Sequence, residues 1–263
     1  MVSAGLIRKN AAAVIKKILP QCTAVTGIFC LFSLLGVFFG QLFSLFFPAS
    51  IRTEIILALS AIFNIFLVTP LTLGIQRWAW RLTGGADDSL RTVLYAFGDG
   101  EGYRRALGFS LRYNLRLYAL QLAGLPALLL EKWDASSSTT GVLSDVWGTA
   151  APVLSAAAAL LELIGGIFCL WLTLRYFLAP YLLSNDETLS PAQALRLSFK
   201  MMSRRAGGLL GFFLSFIGWG LLCLLVLPVM YVLPLIWISG AIYARYLIAD
   251  YNSFYMTGGI LHA

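Results

Sequence analysis

Few side chains in this chain have the type and spacing to do chemistry, and most of them stand in apolar surroundings. Glu162 is alone in the run AAAALLELIGG. Arg105, Arg112 and Arg116 are seven and four apart, so a helix sets them on one face. A carboxylate and a guanidinium at apolar depth suit three tasks. They can form an ion pair that fixes how two helices pack, or line a polar path for a proton, ion or solute, or the acid can be held protonated by hydrogen bonds. The three arginines together could snorkel to headgroups or form an anion pocket. Arg196, Lys200 and Arg204 recur at every fourth position, one basic stripe suited to lipid phosphates or to anchoring a helix at a membrane surface.

Other chemistry finds little support. Cys22, Cys30, Cys169 and Cys223 lie in apolar runs without a CxxC pair and read as small packing residues. The one histidine, His262, is next to the last residue, which argues against an imidazole triad or a His-based metal site. There is no GxSxG, P-loop, HExxH or dinucleotide fingerprint. FGDGEG at 97–102 has the composition of a phosphate or calcium loop without the spacing, and reads as a flexible loop. No catalytic, cofactor-binding or metal-binding residue is expected, and no enzymatic activity.

The elements that must position these residues follow from composition. The 263 residues are 59% hydrophobic and only 12% charged. That is about half the charge of a soluble domain, too little to cover a water-soluble surface. The natural solvent is lipid. The net charge of +7 would otherwise suggest nucleic acid, but the cations crowd beside apolar runs, as at a membrane surface.

Residues 1–20 read as a basic amphipathic helix lying among headgroups, with Leu6, Ile7, Val14, Ile15 and Ile18 near helical spacing and Arg8, Lys9, Lys16 and Lys17 supplying charge. Residues 21–263 read as an all-α bundle of about six spans, near 21–47, 54–76, 107–130, 150–180, 207–227 and 232–249. The first is too long for a signal peptide and reads as a span that stays. Pro228 and Pro234 are expected to bracket a tight turn before the sixth. Polar segments fall at 82–106 and 184–206.

With both termini cytoplasmic, the external loops hold only Arg52 and Lys132, and the other seventeen of the nineteen Lys and Arg lie at the cytoplasmic side. The positive-inside rule therefore predicts a multi-pass cell-membrane protein in that orientation. In this frame Arg116 lies about 14 Å into the third span, and Glu162 about 18 Å into the fourth from the other side. Both fall near the midplane of a core about 30 Å thick, so an Arg116–Glu162 pair, with Arg112 beside it, is geometrically allowed.

The two polar segments echo each other. Each has an acidic pair, Ser or Thr with Leu, an amphipathic stretch, and then Arg-Arg-Ala, at 104–106 and 204–206. Spans two–three and four–five would form hairpins of the same orientation, a parallel repeat. In the second segment Ser190 suits an N-cap and Pro191 the first helical position. Gly207 and Gly211 form a GxxxG match that favours packing inside the chain over dimerisation.

The C-terminal half carries RYFLAPYLLSNDETLSPAQALRLSFKMM, then GFFLSFIGWGLL, Pro234 and NSFY. In that order it resembles the bacterial integral membrane proteins grouped as domain of unknown function 975. The matching positions are Pro180, Tyr181, Asp186, Ala192, Ala194, Ser198, Met201, Phe216, Ile217, Gly218 and Trp219. SRRAGG stands where a Lys-Gly pair is expected, and residues 82–148 match poorly. The resemblance implies several membrane spans and a bacterial, Gram-positive origin, and no known activity.

Three functions compete. The first is a non-enzymatic structural, accessory or lipid-sensing membrane protein. The second is a small-solute or ion transporter using midplane polar residues, and the third a membrane lipid-acting enzyme. The expected partner is the lipid bilayer, with anionic lipids as candidates. No nucleic acid and no cofactor are expected.

Overall fold

A computed structural model describes residues 3–48, 52–86, 89–121, 142–203, 205–223 and 228–258. The described residues are helical or in short turns, with no strand among them. The all-α expectation therefore holds.

Helix α1 (Ala4–Lys17) starts where the Ser3 hydroxyl accepts from the Leu6 amide. Its buried stripe is Ile7, Ala11 and Ile15, while Lys9, Lys16 and Lys17 stay exposed. A one-residue break at Ile18 leads to α2 (Leu19–Ser44), with Pro20 in the first turn. Next come α3 (Arg52–Phe63), a π-helical turn (Asn64–Val68) and α4 (Thr69–Thr83). The helix α4 closes in a Schellman motif. Gly85 (φ 82°) takes the left-handed position there, and the amides of Gly85 and Ala86 donate to Leu82 and Arg81.

A 3₁₀ turn (Leu90–Thr92) and α5 (Tyr95–Gly98) precede α6 (Gly100–Gln121). The stretch expected as a flexible loop, 97–102, is thus a junction between two helices. Asp99 makes it so, since its carboxylate accepts from the Gly102 amide as an N-cap. Then follow α7 (Val142–Tyr176) and α8 (Ala179–Asn185). The predicted start of α9 (Pro191–Met201) is present as a full capping box, with Gln193 answering Ser190. The fifth apolar stretch is broken into α10 (Ala206–Leu214) and α11 (Ile217–Leu222). The last helix, α12 (Val229–Gly258), contains Pro234, so no tight turn separates Pro228 from Pro234. Pro234 is the sixth residue of α12, so the Met230 carbonyl goes without the amide donor that the helix would otherwise supply.

Four helical stretches are long and apolar enough to cross a membrane: Leu19–Ser44, Ile55–Thr83, Ala159–Asn185 and Val229–Asn252. A fifth exists if the bent pair formed by α9 with α10–α11, turned by 89°, counts as one. The first half of the expected third span lies in α6, and its remainder, from 122, lies outside the described residues. The buried core runs from Ile7 and Ile15 through Trp78, Tyr181 and Leu195 to Ile238 and Leu247. Leu34, Phe38, Leu163 and Ile167 instead face outward. Large apolar groups presented outward over whole helices fit lipid better than water.

Candidate functional site

The midplane pair expected from sequence is not formed. The Arg116 guanidinium donates to the Tyr176 hydroxyl at 2.9 Å and lies 5.4 Å from the ring centroid. Glu162 is fourteen residues earlier on the same helix as Tyr176, about 21 Å along the axis. Its side chain is exposed and has no hydrogen bond or ion pair among the described residues. The depth arithmetic failed because α6 sets Arg116 beside the C-terminal end of α7, at Tyr176, and not beside the middle of that helix where Glu162 stands. Arg112 is exposed and donates to the Gly108 carbonyl of its own helix. Arg196 and Lys200 are both exposed on α9, and Arg204 lies outside the described residues.

Gly207 and Gly211 also correct an expectation. A Cβ on either would meet nothing within 4 Å among the described residues, so this small-residue face points away from them.

The structure assembles two polar sites instead. The first surrounds the π turn. Pro70 has no amide hydrogen, and the Thr69 amide bonds back to Asn64, so the carbonyls of Ile65 and Phe66 lose their usual donors. Two side chains of α6 replace them. The Ser110 hydroxyl donates to Ile65 at 2.5 Å and the Tyr103 hydroxyl to Phe66 at 3.2 Å. Asn114 extends the network by donating to the Thr69 hydroxyl at 3.0 Å, and Thr69 donates on to Asn64 at 3.0 Å. Ser110 and Asn114 are buried. Sequence reasoning missed this site. Its signal was Thr69-Pro70 inside an apolar span, matched by Ser110 and Asn114 one helical turn apart in another.

The second site joins the two polar segments. Arg105 donates to the carbonyls of Asp186 at 2.7 Å and Leu189 at 2.9 Å, just beyond the C-terminus of α8. Carbonyls there lack intrahelical donors and carry the negative end of the helix dipole. Arg77 reaches Glu187 at 2.6 Å and lies 3.9 Å over the Tyr95 ring. The Arg77 hydrogen bond and its charge hold the Glu187 carboxyl below its usual range. Bonds from the Thr188 hydroxyl and amide do the same for Asp186. A cleft of about 30 Å³ remains between Arg77, Tyr95, Arg105 and Leu183, room for about one water.

The same use of arginine recurs. Arg245 of α12 lies 4.1 Å over the Trp80 ring and donates to the Trp80 carbonyl and the Thr83 hydroxyl at the end of α4. Arg8 donates to the Ser215 carbonyl that ends α10, at 2.7 Å. Arg205 mirrors Arg105 in the sequence echo and donates to the Leu247 carbonyl while pairing with Asp250.

No group of three or more metal-ligating side chains is present among the described residues. No family model, curated protein or solved structure matches the chain.

Proposed function

We propose that this chain is a multi-pass cell-membrane protein, both termini cytoplasmic, with a non-enzymatic structural or accessory role resting on its basic interfacial helices. The observation that carries this reading is the use made of its cations. Arg8, Arg105, Arg205 and Arg245 bind carbonyls of neighbouring helices, and Arg116 binds a tyrosine on α7. Such contacts lock helices together. The resemblance to the domain of unknown function 975 proteins, which has no activity attached, accords with it.

Membrane fractionation and topology mapping test the reading. The chain stays in the pellet through alkaline carbonate and leaves it only in detergent. Reporters fused to either end report the cytoplasm. Release by carbonate, or termini on opposite sides, overturns it.

A second reading, transport of a small solute or ion, is favoured by the half-buried relay from Asn114 through Thr69 to Asn64 inside an apolar span. Flux in proteoliposomes that falls with Asn114→Ala, at unchanged protein content, would establish it.

A further inference from the structure

The corner where α6, α7 and α9 meet holds five cations that no carboxylate among the described residues neutralises. They are Arg112, Arg116, Arg175, Arg196 and Lys200, and none is in an ion pair among the described residues. Their placement is linked through aromatic rings. Arg116 lies against Tyr176, whose centroid is 6.0 Å from that of Phe199. The Arg175 guanidinium also lies against Phe199, 5.0 Å from its centroid, and 4.9 Å from that of Trp171. Arg175 has an Nε–H that is buried and has no acceptor. Lys200 follows Phe199 directly, Arg196 is one turn away from Lys200, and Arg112 is one turn from Arg116.

Two pairs of like charges at i, i+4 repel each other and destabilise their helices unless an anion lies between them. Guanidinium forks and an ammonium suit phosphate oxygens. The rest of the corner is apolar and outward-facing: Leu111 and Leu115 on α6, and Phe168 and Leu170 on α7 are exposed. Phosphate-binding cations beside exposed aliphatic surface, with Trp171 at the boundary, match an amphiphile better than a free ion.

We propose that this corner binds the phosphate of an anionic phospholipid, with its acyl chains along α6 and α7. This rests on the membrane reading above and deepens it by naming the lipid class and its contacts.

The test uses the full chain in a mild non-ionic detergent. Dioctanoyl phosphatidylglycerol, dioctanoyl phosphatidylcholine and inorganic phosphate are titrated in turn, and the melting temperature is read. The glycerol lipid raises it saturably, while the choline lipid and inorganic phosphate do not. The variant R196Q/K200Q weakens the midpoint about twenty-five-fold, at about fivefold per cation. Both side chains are exposed, so this variant folds. The control K16Q/K17Q, which removes exposed cations on α1, leaves the midpoint in place.

An equal rise with the choline lipid overturns the proposal. So does an equal rise with inorganic phosphate, which would make the ligand a free anion. An unmoved midpoint in R196Q/K200Q, or an equal loss in K16Q/K17Q, also overturns it. Failure in any of these ways leaves carbonate resistance intact, whereas carbonate release would defeat the membrane reading itself.

Discussion

The Ser110 hydroxyl donates to the Ile65 carbonyl at 2.5 Å, supplying from another helix the hydrogen bond that Pro70 cannot give. Ser110→Ala leaves that carbonyl without its side-chain donor inside an apolar helical stretch. The expected cost is about 1–3 kcal/mol, read as a lower melting temperature in detergent. Pro70→Ala restores an amide in the same stretch, so Ser110→Ala should cost less in that background. Equal costs with and without Pro70 would show that the hydroxyl does not serve the broken ladder.

Arg116 touches Tyr176 and not Glu162. A double-mutant cycle between Arg116→Gln and Tyr176→Phe should give about 0.5–1.5 kcal/mol of coupling, the size of a hydrogen bond. The same cycle with Glu162→Gln should give none, because about 21 Å of helix separates Tyr176 from Glu162. Glu162→Gln alone should leave the melting temperature within experimental error. Coupling of Arg116 to Glu162 would restore the buried pair that the sequence allows.

The carboxyls beside α8 make stability depend on acid pH. Glu187 is held below its usual range chiefly by its hydrogen bond from Arg77, and Asp186 by those from Thr188. Groups with a lowered folded pKa stabilise fully above their unfolded value, about 4.3 for glutamate. That stability drains as the pH falls from there through the lowered folded value. The melting temperature should therefore fall on acidification below about pH 4.3, the ordinary glutamate value, and Glu187→Gln should make the fall shallower. The Arg77–Glu187 pair is partly exposed, with Glu187 at 66%, so the effect is small and shrinks further with salt. A steeper fall in Glu187→Gln would contradict the assignment.

The helical class, the amphipathic first helix and the Ser190-Pro191 start of α9 were legible because each rests on local grammar: periodicity, caps and proline. What failed needed rotation or depth. Glu162 and Arg116 miss each other because α6 docks Arg116 at the C-terminal end of α7, beside Tyr176, a relative depth of two helices that one sequence does not encode. Gly207 and Gly211 were assigned inward on spacing alone, yet spacing cannot say which way a helix face turns. The arginines were legible as a charge pattern, but not as donors to particular carbonyls, since those partners lie up to 207 residues away in sequence.

Glycine positions test that distinction directly. A Cβ on Gly74 would run into the Val93 carbonyl oxygen, and the obstacle is backbone that cannot rotate away. Gly74→Ala must push the 3₁₀ turn off α4 and should cost about 3 kcal/mol or more, beyond overpacking of a yielding site. Gly211→Ala meets nothing within 4 Å among the described residues. Alanine is the better helix former by about 1 kcal/mol, so this change should raise the melting temperature. If Gly211→Ala instead lowers it in a concentration-dependent way, the open glycine face is occupied by a second molecule in the detergent micelle, and the packing that sequence assigned to the inside of the chain belongs between chains.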